Sequence, residues 1–189
     1  MTEAERLTRR IRVLLLAFIA GLVLSGLTAF PLEAELRWLT GALGAGEARP
    51  GEVHGVVGWL VTVRDALADT NARYPFLAYG TDWLAFAHLV IAVAFLGPLR
   101  DPVRNVWVVT FGLVACAGVV PLALVAGAAR GIPLYWRLID CTFGIGGAAL
   151  LWPCLRAIRT LEASGAAPAP GRPLPSPRTA TPGMVEEKP

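Results

Sequence analysis

Of the ionisable residues within the long apolar stretches of this chain, two stand out, His88 and Asp140. An ionisable group placed in hydrocarbon costs a few kcal/mol or more, so such residues usually face a bundle interior or serve a function. His88 falls about five residues past the start of its apolar stretch at Trp83 and Asp140 about six past Leu134. At 1.5 Å rise per residue, each is roughly 8 Å deep, so the pair is expected at one level. Arg137, three residues before Asp140 on the same helical face, is a competing partner. Tyr79 and Asp82 are expected at the rim above, with His54 folding down from a loop.

Imidazole nitrogen and carboxylate oxygen are metal ligands, so His54, His88 and Asp140 are the metal candidates. The same groups suit a proton relay, because histidine titrates near neutral pH. His54 and His88, the two histidines of the chain, would also be the pair for bis-histidine haem ligation, although one of them lies in a loop. The bland alternative is a cross-bundle hydrogen bond that fixes register, worth on the order of 1 kcal/mol. Catalytic signatures are missing: there is no H-E-x-x-H, G-x-S-x-G, Walker loop or dinucleotide fingerprint. Asp82 and Asp101 fall at opposite ends of one apolar stretch and cannot act on one bond.

The elements that must position these residues are four apolar runs, Val13 to Phe30, Trp83 to Leu99, Val106 to Ala126 and Leu134 to Cys154. Each is about long enough to cross a hydrocarbon core of about 30 Å as a helix. Composition agrees, with 55% hydrophobic residues, 16% charged and a mean hydropathy of +0.57. The net charge of +3 does not point to nucleic acid, because the cations sit at the ends of the runs. Arg6, Arg9, Arg10 and Arg12 precede the first, Arg100 and Arg104 divide the second from the third, and Arg156 and Arg159 follow the fourth. The positive-inside rule puts these ends and both termini in the cytoplasm, with Arg130 and Arg137 dissenting on the other side. The first run also resembles a signal peptide, but its apolar character continues to Phe30 and no A-x-A site follows.

The expected fold is all-α, an integral membrane four-helix up-and-down bundle. Residues 1–12 form a cytoplasmic segment, and spans follow at 13–31, 83–99, 106–127 and 134–154. A loop over 32–82 lies outside the membrane. Leu32, Leu36, Leu39 and Leu43 give that loop one helical segment. A second amphipathic helix has Val56, Trp59, Leu60, Val63 and Leu67 on its apolar face and Arg64 off it. The turns at 100–105 and 128–133 are short enough to force antiparallel contact between the spans they join. In the first turn Asp101 is expected to cap the next helix, with Pro102 opening it. Gly144 and Gly147, with Gly146 beside them, are expected to give the fourth span a packing face, Gly112 and Gly118 to thin the third, and Pro121 to kink it. Cys116, Cys141 and Cys154 form no disulfide framework. Residues 155–163 end the last helix, and the Pro-rich stretch 164–189 is expected to be disordered.

The Ala/Gly/Arg/Pro-rich composition, without organelle-targeting signals, points to a bacterial inner membrane. Two roles are compatible with these observations. One is a non-catalytic subunit, anchor or assembly factor of a membrane complex, with the bilayer and another membrane protein or a second copy as partners. The other is a metal-, proton- or small-ligand-handling oligomer built around His88 and Asp140.

Overall fold

The computed structural model describes residues 2–165, and they form helices joined by turns. The stretch 166–189, where most of the expected disorder falls, lies outside the described residues. Helix α1 covers Glu3–Ala29, α2 Leu32–Ala42, α3 Gly55–Arg73, α4 Tyr79–Ala94 and α5 Leu96–Arg100. After a turn come α6 (Val106–Pro121), a π-helical turn (Leu122–Ala126), α7 (Gly127–Ala129) and α8 (Leu134–Ala163). Four helical stretches are long and apolar enough to cross a membrane: Glu3–Ala29, Pro75–Arg100, Val106–Ala129 and Leu134–Ala163.

Local chemistry sets these boundaries. Thr2 and Glu5 form a reciprocal capping box, which starts α1 ten residues before its apolar run. Pro98 has no N–H to offer Ala94, and the ladder breaks between α4 and α5 at Phe95. Pro121 has the corresponding effect at the end of α6, where the helix widens into the π turn. Asp101 does not open α6. Its carboxylate accepts the Arg104 N–H within the turn, and Asn105 becomes the N-cap instead. The Asn105 amide donates back to Gly97 and Asp101 carbonyls, satisfying the end of α5.

The packing order is α4 on α1, α1 on α8, and α8 on α6. The turn at 128–133 does bring α6 and α8 together, as its length requires. The turn at 101–105 does not have that effect, because α4 has no extended contact with α6. The helices converge at the arginine-rich end instead. Phe95 is fully buried there, with its ring 4.7 Å from that of Phe18 on α1. A Cβ on Gly112 of α6 would come within 2.6 Å of Phe95 and 2.7 Å of Leu151 on α8. The main core, including Ile11, Leu15, Val109, Leu151 and Ile158, surrounds this point. Two further close approaches are made through glycine. Gly26 lets α1 approach the Ala85 carbonyl of α4, and Gly144 lets α8 approach the Cys116 carbonyl of α6. Gly146 and Gly118 meet nothing.

Helices α2 and α3 form a helical hairpin. Its apolar face differs from the expected one: Val56 is 44% exposed, while Val61 and Arg64 are buried. Arg64 is the reason. Its guanidinium donates to the Ala45, Gly46 and Ala48 carbonyls at 3.2, 2.8 and 2.7 Å, and to Thr40 Oγ1 at 3.3 Å. Its Nε donates to Asp65 at 2.7 Å. The loop between α2 and α3 is wound around one cation, with Gly44 at φ +72° making the tight exit from α2. The Tyr135 hydroxyl at the start of α8 donates to the Gly55 carbonyl at 3.0 Å and ties the hairpin to the α6/α8 pair.

Candidate functional site

Packing distances put His88 and Asp140 at matching depth. Gly26 of α1 faces His88, and Phe18 of α1 faces Gly147 of α8. Eight residues along α1 separate these two levels, and eight residues back along the antiparallel α8 from Gly147 is position 139. The two residues nevertheless sit on helices that pack against α1 and not extensively against each other. His88 Nδ1 lies 2.8 Å from the Leu84 carbonyl, one turn back on its own helix, which leaves Nε2 for an outside partner. Asp140 is half-buried and, among the described residues, has neither an ion pair nor a hydrogen-bond donor.

Arg137 is not that donor. Its guanidinium reaches across to α6 and donates to the Leu124 carbonyl at 3.1 Å, inside the π turn that follows Pro121. Gly127 makes room for it, since a Cβ there would meet Arg137 Cδ at 2.6 Å. The arginine thus gives the Leu124 carbonyl a second donor beside the Gly127 backbone N–H.

The remaining candidates lie at the hairpin end of the long helices. Asp82 lines a cleft of about 370 Å³ where α1 ends and α2, α3 and α4 meet. Tyr79 is exposed and packs edge-on against Trp83 at 5.9 Å between centroids. His54 is exposed at the N-cap of α3, beside the strap to Tyr135, while His88 lies against α1. Among the described residues no three His, Cys, Asp or Glu side chains are grouped to hold a metal ion.

The cleft contains groups that spacing alone does not single out. Glu33 accepts from the Asn71 amide at 2.7 Å and from the Arg37 guanidinium. A carboxylate can only accept, so Asn71 must turn its NH₂ towards Glu33. The Asn71 Oδ1 is then buried without a donor. Together with Asp82, the cleft therefore offers acceptors to a ligand that brings hydrogen-bond donors. The Asn71 bond holds Glu33 below its ordinary pKa of 4.5; burial opposes it, and the Arg37 bond and charge add to the lowering. A carboxyl lowered by folding stabilises the fold above its unfolded pKa and loses that contribution as pH falls through the folded value. The tie between α2 and α3 is expected to hold at neutral pH and to release below pH 4.5. In a carboxyl NMR titration, Asn71→Ala should move the Glu33 midpoint up towards 4.5; an unmoved midpoint would remove Asn71 as the cause. The Glu33/Arg37 spacing of four was readable in the sequence, whereas Asn71 is 38 residues from Glu33 and gave no local signal.

No protein-family model, curated protein or solved structure matches this chain.

Proposed function

We propose that this chain is a non-catalytic subunit or anchor of a membrane complex in a bacterial inner membrane, with its arginine-rich end and both termini cytoplasmic. The reading rests on Asp140. A half-buried carboxylate on a membrane-length helix, without a donor among the described residues, calls for one from a neighbouring helix. The helix that carries His88 packs on α1 and makes no extended contact with α8, so it does not supply that donor.

Mild-detergent purification of the tagged chain from its native membrane, followed by partner identification, tests this. A stoichiometric membrane-protein partner is expected with the native chain and at least tenfold less of it with Asp140→Leu. The Leu variant removes a charge that has no partner among the described residues, so the isolated chain should unfold no more easily than the native one, and by as much as about 2 kcal/mol less easily. Elution alone, or a partner that ignores the substitution, would sink the proposal.

A second reading, proton or metal handling by an oligomer through His88 and Asp140, has their shared depth in its favour. Metal or visible absorbance in the same eluate, lost in His88→Ala, would select it over the first.

A further inference from the structure

A second cleft, of about 310 Å³, opens at the arginine-rich end between α1, the turn after α5 and the last turns of α8. Arg12 and Arg100 line it, from positions 88 residues apart in the sequence. Both are exposed, and among the described residues neither has an ion-pair partner, since the salt bridges formed involve Arg37, Arg64 and Arg73. The one carboxylate in the wall, Asp101, already accepts the Arg104 N–H at 3.1 Å. The base of the cleft is apolar, with Ile11 and Leu161 both buried.

The depth of this cleft follows from its surroundings. Arg12 directly precedes the apolar run of α1, and Arg100 is the last residue of the second membrane-length stretch. At the same end, Trp107 is 66% exposed, and the Arg156 guanidinium lies 5.3 Å from the centre of the Trp152 ring. Exposed tryptophan beside arginine marks the level of lipid headgroups. Two uncompensated guanidiniums at that level, above an apolar base, match a phosphodiester attached to acyl chains.

We infer that this cleft binds the headgroup phosphate of an anionic glycerophospholipid between Arg12 and Arg100. The bidentate geometry of guanidinium suits phosphate oxygens, and the net negative charge separates such a lipid from a zwitterionic one, whose ammonium would meet the arginines. The site is independent of the role assigned to Asp140.

Native mass spectrometry of the full chain in mild detergent, titrated with phosphatidylglycerol or phosphatidylcholine, tests this. The native chain should retain phosphatidylglycerol in preference to phosphatidylcholine. With about a fivefold effect for each surface arginine, Arg12→Gln/Arg100→Gln should weaken phosphatidylglycerol binding roughly 10- to 30-fold. Arg9→Gln/Arg10→Gln removes the same charge from α1 outside the cleft and should leave binding within about twofold of native. Equal retention of the two lipids by the native chain would overturn the inference without reference to any variant. Equal loss in the two double variants would reduce it to diffuse attraction and overturn it as well. Thermal protection by glycerol phosphate equal to that by phosphatidylglycerol would show a phosphate site with no lipid specificity, again against the inference.

Discussion

Gly144→Ala should cost this protein about 2–4 kcal/mol, whereas Gly146→Ala, two residues away on the same helix, should cost nothing measurable. A methyl on Gly144 would sit 2.5 Å from the Cys116 carbonyl oxygen and 3.1 Å from Val119 Cβ, while one on Gly146 meets nothing within 4 Å. The obstruction at Gly144 is backbone, which cannot swing aside as a side chain can. Relief requires α8 to move off α6, and in lipid there is no hydrophobic force between helices to recover what close packing loses. At Gly146 the added methyl removes glycine's helix penalty and faces outward. Unfolding of the two variants in mixed micelles by rising SDS would read the contrast. Equal midpoints would mean that the α6/α8 contact does not hold the fold.

Arg64→Ala should release the loop between α2 and α3 while leaving the four long helices in place. The arginine is 8% exposed and donates hydrogen bonds to three loop carbonyls and to Thr40 Oγ1. Its removal strands those acceptors, at a cost on the order of 3 kcal/mol. Amides of the loop and of the adjoining end of α2 should exchange about 100-fold faster, at tenfold per 1.4 kcal/mol. Arg64→Lys should fail to restore protection, because one ammonium cannot reach acceptors arrayed around a planar fork. Unchanged exchange in the alanine variant would mean that the loop is held by the backbone turns at Gly44 and Gly51 instead.

The residues of these two predictions differ in how far the sequence announced them. Gly144 and Gly147 stood out as a small-residue face, and the structure uses both in packing. Gly118 looked equivalent and packs against nothing, because which side of a uniformly apolar helix turns inward depends on its neighbours. Arg64 was misread in the opposite sense. Hydrophobic periodicity assigns any cation to the solvent face, and it has no means of registering carbonyls supplied by a loop 16 to 19 residues away. The four membrane-length helices were legible because hydropathy integrates over about 20 residues and tolerates local error. Pairing was only half legible. The short turn between α6 and α8 goes with extensive contact between them, whereas α4, joined to α6 through α5 and a similarly short turn, packs on α1 instead. The shared depth of His88 and Asp140 was countable along the sequence, whereas the placement of α1 between their helices was not.

The strap from Tyr135 to Gly55 closes a loop of 80 residues with a single exposed hydrogen bond. That closure is the cheapest connection in the fold to cut, because the core around Phe95 lies elsewhere and holds the long helices without it. Removing one hydroxyl, as in Tyr135→Phe, would therefore uncouple the hairpin from the start of α8 and leave the rest of the molecule as it is.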